Sequence, residues 1–209
     1  MRILDLFSGT GSSTQAFKDS GHNVYTVELD TQFDADFHVD IMHVTPDFFP
    51  GRWDLVWASP PCTTFSVASI GTHWTGGKEA YIPKTQAAKD GIELMYHTRD
   101  LIAGIDTRYW VVENPRGVLR KLGIFGEPQT VWYCQYGDER AKPTDLFGNL
   151  PPDFPILTCK NNNPACDHVR ARRGAKTGTQ GRKGAKERSM IPYALSLQMM
   201  NSILEEDAR

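Results

Sequence analysis

The sequence predicts an α/β fold, a parallel sheet covered on both faces by helices, and three observations carry that expectation. Short apolar runs alternate with stretches of helical spacing along the first two-thirds of the chain. Each run ends abruptly in glycine, proline or an acid. The chemically suggestive stretches, DLFSGTG, WASPPC and VVENP, all fall at those ends. In open parallel sheets ligands bind outside the carboxyl ends of the strands, so the three should meet along one edge.

Taken in order, Ile3–Phe7 reads as a strand, broken by Ser8-Gly9-Thr10-Gly11 and followed by a helix over Ser12–Asp19 that Gly21 stops. Val24–Val27 is a second strand running into Glu28-Leu29-Asp30, and Asp40-Ile41 lies where a third could end. Asp54–Ala58 is a clear strand leading directly into SPPC. A glycine-rich stretch precedes a helix over Thr85–Ile102, and Tyr109–Val112 forms a strand ending in Glu113-Asn114-Pro115. Beyond Gln129 the pattern weakens: Val131–Tyr136 and Asp145–Phe147 are short strands, and proline and asparagine follow. A last helix, Tyr193–Glu206, carries Leu197, Met200, Ile203 and Leu204 towards the core.

A chain of 209 residues, 40% hydrophobic and 11% aromatic, has the size and composition of a globular domain. Without an apolar run of about 18 residues, no membrane span is expected. The first residues enter a motif at once with no signal peptide ahead, which predicts an intracellular protein with reduced cysteines. The net charge of -2 argues against a strong polyanion binder but hides an asymmetry. Between Arg170 and Arg188 lie eight basic residues, with Glu187 the only acid. Such a run is a solvated segment or a phosphate-contacting arm.

The strand–glycine–helix turn at Phe7–Gly11 offers free backbone N–H groups to a polar or anionic ligand. It departs from the dinucleotide fingerprint, since Thr14 stands where a third glycine would be. Glu28, after the second strand, is placed to take ribose hydroxyls. Asp40 and Ile41 could meet an adenine through a carboxylate and an aliphatic face. In SPPC, the two prolines fix the backbone ahead of Cys62 and so aim its thiol. A cysteine is more often a small buried hydrophobe, but this one follows a cofactor-type loop and precedes a glutamate on the same sheet edge.

DLFSGTGSS, the acid of VELD, SPPCTTFS and VVENP, in that order, resemble the cytosine-5 DNA methyltransferases. The resemblance implies a Rossmann-like, S-adenosylmethionine-dependent fold with a very small target-recognition region. It assigns cofactor binding to Phe7, Ser8, Gly9, Thr10, Gly11, Glu28, Leu29, Asp40, Ile41 and Pro61, and to Ser189 on the returning C-terminal segment. It makes Cys62 the nucleophile that adds to cytosine C6, and Glu113 the group that holds N3 and the exocyclic amine. Gln135–Lys142 resembles the family's tyrosine-glycine segment with paired arginines; Arg140 is expected to contact cytosine O2, with Lys142 behind it. ENP replaces the family's ENV, as in short phage and prophage members.

The implied partner is double-stranded DNA with one cytosine flipped out, and the implied setting is a monomer in the cytoplasm of a bacterial or phage-infected cell. Val67–Lys84 is expected to be a mobile loop closing over the flipped base, with Ser66, His73 and Trp74 touching DNA. Lys142, Arg170, Arg172, Arg173, Arg182 and Lys183 complete the expected DNA contacts. The domain reading is residues 1–150 catalytic, 151–187 a reduced recognition region and 188–209 a helix packing back. So short a recognition region predicts a target of about two to four base pairs.

Cys159, Cys166 and His168, spaced C-x6-C-x-H, lack the tight pairs of ordinary zinc modules; the expectation is unligated loop residues and no metal, although Cys134 could reach them. Three other functions fit the sequence less well: an RNA (transfer RNA) cytosine-5 methyltransferase, a catalytically silent DNA-binding protein of the same fold, and a nicotinamide-dependent oxidoreductase.

Overall fold

β1 (Arg2–Leu6), β2 (Asn23–Glu28), β3 (Phe37–His38) and β4 (Trp53–Ala58) form from the apolar runs in a computed structural model that describes residues 1–169 and 184–209. The expected DNA contacts Arg170, Arg172, Arg173, Arg182 and Lys183 lie outside the described residues. A small antiparallel pair, β5 (Trp74–Thr75) and β6 (Ile82–Pro83), stands apart. The main sheet is completed by β7 (Thr107–Pro115), β8 (Gln129–Trp132) and β9 (Pro143–Asn149), in the order β3-β2-β1-β4-β7-β9-β8.

Every pairing from β3 to β7 is parallel, while β9 runs against both β7 and β8. This departs from a wholly parallel sheet for a local reason. β8 and β9 are joined by a turn and a loop with no crossover helix, so the chain must reverse. The strand expected over Val131–Tyr136 therefore splits: β8 stops at Trp132, and Tyr133–Tyr136 winds into a 3-10 turn that Gly137 ends at φ +82.

The alternation of the strands divides the core in two. Leu4, Leu6, Val56, Ala58 and Val112 face one side, with Ala88, Met95, Leu101 and Ile102. Ile3, Leu55, Trp57, Tyr109 and Val111 face the other, with Phe17, Leu195, Met199 and Ile203. Each fully buried side chain of this size contributes about 1.5–3 kcal/mol.

The helices follow the sequence signals, with shifts at their ends. α1 (Gln15–Asp19) begins late because the Ser13 and Thr14 hydroxyls donate to Asp5 at 2.6 and 2.7 Å. One-turn helices α2 (Ile70–His73) and α3 (Gly77–Ala80) lie around the small hairpin. α4 (Gln86–Gly104) starts at Thr85, whose hydroxyl accepts the Ala88 N–H at 3.2 Å. Short α5 (Leu119–Leu122) and α6 (Ala185–Ser189) precede α7 (Tyr193–Asp207). On α7 the buried stripe is Leu195, Met199 and Ile203, with Ser196 and Met200 beside it. Leu204, expected inside, is 39% exposed. Ser196 decides the rotation of the helix, since its hydroxyl accepts the Ala16 N–H at 3.3 Å and binds α7 to α1.

Candidate active site

Three strand ends build the site. After β1 the backbone turns sharply: Phe7 (φ +58), Gly9 (φ +48) and Gly11 (φ +71) are all left-handed. Glycine serves at two of those positions because no Cβ is strained there. The turn is held from β2, where the Glu28 carboxylate accepts the N–H groups of Gly9 (2.8 Å), Leu29 (2.9 Å) and Asp30 (3.0 Å). Beneath it Asp5 is fully buried, and burial pushes its carboxyl up to about 6 against the pull of the Ser13 and Thr14 hydroxyls.

A cavity of about 690 Å³ opens above this turn. Phe7, Ser8, Gly9 and Thr10 line it from the β1 loop; Pro61, Cys62 and Ser66 from the β4 loop; Glu113 from β7; Lys142, Arg188 and Ser189 from later segments. The sheet thus brings together most of the expected site. Glu28 and Leu29 stand outside the lining, and so do Gly11, Asp40 and Ile41. Asp40 spends its side chain on the Met42 N–H (2.9 Å), capping a 3-10 turn, and Ile41 is packed into the core.

Cys62 is half-buried and its carbonyl accepts the N–H groups of Phe65 and Ser66, both at 3.1 Å, so the chain turns directly after it. Burial raises the thiol above its ordinary value; Lys142 and, more weakly, Arg188 pull it down, while Glu113 pushes it up. Two contacts fix this loop to β7. The Asn114 side-chain amide donates to the Pro60 carbonyl at 3.1 Å, and the Val118 N–H donates to the Phe65 carbonyl at 2.8 Å. Gly117 is required by that second contact, since a Cβ there would sit 2.2 Å from the Phe65 oxygen.

Glu113 is 6% exposed and accepts the Tyr133 hydroxyl at 2.8 Å; the Lys142 ammonium lies 3.9 Å away. Lys142 also lies 4.5 Å from the centre of the Tyr133 ring. Arg140, expected to reach the substrate, does not line the cavity. It is 2% exposed and forks onto Asp138, while its Nη atoms donate to the carbonyls of Arg188 (3.2 Å) and Met190 (3.0 Å). Arg140 is a clamp on the returning chain, and Lys142 is the cation that faces Cys62 and Glu113.

The segment Val67–Lys84, expected to be a mobile loop, is built of short helical turns and the β5–β6 hairpin. Trp74 is 3% exposed, its indole N–H donates to the Thr64 carbonyl at 2.6 Å and its ring packs on Phe65. That burial removes Trp74 from the expected DNA contacts and makes it the flap's anchor. His73 is half-buried against the Thr85 hydroxyl at 2.7 Å, and the Ser66 hydroxyl donates to Ser69 at 3.3 Å. Ser189 lines the cavity while donating to the Lys186 carbonyl at 2.9 Å. Ser12 joins the same neighbourhood by accepting the Ile191 N–H at 3.0 Å. Sequence reasoning overlooked Tyr133, Asn114 and Gly117. Only Asn114, beside Glu113, carried a local signal; the other two act through contacts distant in sequence.

Residues 1–122 match the family model of the C-5 cytosine-specific DNA methylases. The chain belongs to this family. The methylase is also 33% identical, over 96% of its length and 99% of the relative's, to a Frog virus 3 (isolate Goorha) protein named "Probable DNA (cytosine-5)-methyltransferase". Among solved structures, it resembles in fold an E. coli prophage-encoded protein described as a "putative DNA modification methyltransferase". That match has a TM-score of 0.51 and 16% identity, and covers 71% of this methylase and 46% of the prophage protein. The methylase thus spans under half the length of that structural relative and nearly all of the viral one.

Proposed function

We propose that this methylase transfers a methyl group from S-adenosylmethionine to C5 of a cytosine flipped out of double-stranded DNA, through a covalent bond between Cys62 and cytosine C6. One observation carries the reading: Cys62, Glu113, Lys142 and the glycine turn at the β1 end line one cavity. The cofactor fits the turn on a specific ground. Ser8 lines the cavity, yet its buried hydroxyl has no hydrogen-bond partner within the protein. Ser8, Gly9, Thr10 and Ser189 would hold the ligand, with Glu28 supporting the turn from behind. When bound, S-adenosylmethionine supplies an electrophilic methyl group and a positive charge.

The residues of the chain do the rest. Cytosine C5 is a weak nucleophile until something adds at C6, so the Cys62 thiolate attacks there. A proton shared between Glu113 and N3 moves onto the ring nitrogen as the thiolate adds, which offsets the negative charge that the attack delivers. Lys142 takes the O2 side, the part expected of Arg140, and favours the thiolate by its charge. After methylation a base takes the C5 proton, and the electrons of that C–H bond re-form the C5–C6 double bond and expel Cys62 as the thiolate. Flipping the base costs a few kcal/mol of unstacking. The flap anchored by Trp74 is the element placed to cover that base, and residues 151–187, with their run of basic side chains, supply the DNA contact. A catalytic thiol suits the reducing cytoplasm.

The decisive test is incubation with S-adenosylmethionine and a duplex carrying 5-fluorocytosine, which blocks proton loss. A covalent protein–DNA adduct is expected with the wild-type chain and none with Cys62→Ala. A folded, cofactor-binding wild-type protein that gives no adduct overturns the reading. Competition by duplex DNA but not by transfer RNA is expected; the reverse would move the substrate to RNA.

A further inference from the structure

We propose that Cys134, Cys159, Cys166 and His168 hold one zinc ion, which fastens the segment 150–169 beside the catalytic glutamate. The spacing along the chain lacks the tight pairs of ordinary zinc modules and leaves the fourth ligand open, so the sequence favoured unligated residues. Folding supplies the fourth. Cys134 sits in the 3-10 turn Tyr133–Tyr136, and the ligand atoms of all four residues lie within 4.8 Å of one another. Zinc–sulfur bonds of ~2.3 Å set tetrahedrally separate ligand atoms by roughly 3.8 Å, so an ion needs only a small contraction of this group. The Cys159 sulfur and His168 Nδ1 are already 3.8 Å apart.

The surroundings are those of a metal site rather than of loose thiols. Nε2 of His168 lies 2.9 Å from the Asn161 carbonyl. A carbonyl can only accept, so the proton resides on Nε2 and leaves the Nδ1 lone pair turned to the sulfurs. Side-chain amides approach the sulfurs as donors: Gln135 to Cys166 at 3.4 Å and Asn163 to Cys159 at 3.5 Å. Such donors stabilise thiolates. Cys159 and His168 are buried, at 8% and 6% exposure, and all four cysteines of the chain are free thiols. Three thiolates and an imidazole in a closed shell favour zinc over magnesium or calcium, and leave no open position for a substrate.

The position explains what the ion would do. Residues 150–169 contain neither helix nor strand beyond a bridge between Val169 and Arg140, so ladder bonds cannot hold them. Phe154 in the core and the Trp132 N–H on the Leu157 carbonyl (3.0 Å) hold the first part of the segment, and beyond Leu157 a metal would supply the anchor that regular structure does not. Cys134 adjoins Tyr133, whose hydroxyl binds Glu113, and His168 adjoins Val169, whose N–H donates to the Glu139 carbonyl at 2.8 Å. The ion would therefore tie the support of Glu113 to the point where the basic run begins.

The test uses the full chain purified without chelators. Elemental analysis is expected to find one zinc per chain, and replacement by cobalt(II) to give the intense visible bands of a tetrahedral site with thiolate charge transfer. Cys62→Ala should keep the metal, whereas the double variant Cys159→Ser/Cys166→Ser should lose it. A folded wild-type chain that neither carries zinc nor takes up cobalt overturns the proposal, and so does stoichiometric zinc in the double variant. Should that variant fail to fold, the cobalt spectrum of the wild-type chain decides: bands without thiolate charge transfer also overturn it.

Discussion

At the carboxyl edge of the sheet, Cys62 in the loop after β4 and Glu113 near the end of β7 rest on strands that run between two hydrophobic cores, and side-chain bonds from Asn114 and Tyr133 trim their positions. The segment 150–169 has no ladder of its own: Phe154 and the Trp132–Leu157 bond hold its first part, and sulfur and imidazole side chains cluster in its second. The first region is rigid because backbone hydrogen bonds and buried area hold it. The second has far less of both and ends in a few side chains of high chemical specificity. A reaction that needs atoms held to a fraction of an ångström is built on the first kind of support, and a contact surface can rest on the second.

The sharpest break in this comparison is expected between two neighbouring cations. Arg140→Ala removes a buried fork from Asp138 and from the carbonyls of the returning chain, and should cost about 3–5 kcal/mol in denaturant unfolding. Lys142→Ala should leave stability near wild type and lower turnover instead. The opposite pattern would exchange their roles. Next, Gly117→Ala forces a Cβ against the Phe65 carbonyl and should cost about 1–3 kcal/mol while lowering kcat, because it pushes the Cys62 loop off β7.

Tyr133→Phe keeps the ring and removes only the hydroxyl bonded to Glu113. A loss of about 1–3 kcal/mol of support corresponds to roughly ten- to a hundredfold in kcat/KM, measured by methyl transfer to duplex DNA. A smaller effect concerns Cys62 without substrate. Since burial raises its thiol, the thiolate is scarce near neutrality and alkylation should accelerate with pH beyond the range of an ordinary cysteine. Lys142→Met removes a charge that favours the thiolate, so its profile should shift further upward.

A last effect, set by pH, lies under the glycine turn. The fold favours the protonated Asp5 carboxyl, raised from 3.8 to about 6, so this group's contribution to stability is full at low pH and fades as pH rises through that window. Asp5→Asn is neutral throughout. Its Tm relative to wild type should therefore improve as pH rises from below 3.8 to above about 6, and a flat difference would refute the assignment.

Much of the catalytic edge was legible in the chain because its signals are local. Apolar runs, the glycine turn and the rigid Pro60-Pro61 mount lie next to the residues they position. Other features escaped for an equally physical reason. Arg140 and Lys142 look alike in sequence, and only Asp138 together with the carbonyls of residues 187–190 separates clamp from site cation. Trp74 in a glycine-rich stretch reads as an exposed aromatic, yet packing against Phe65 and a bond to Thr64 bury it.

By itself, then, the sequence determined the α/β alternation, the cofactor-type turn and the order of Cys62 and Glu113 along one sheet edge, since each depends on a few adjacent residues. The tertiary structure alone decided the reversed strand β9, the Tyr133 support for Glu113 and the meeting of Cys134 with Cys159, Cys166 and His168. Those depend on contacts between residues far apart in the chain, where spacing carries no signal and only the packed fold brings the atoms together.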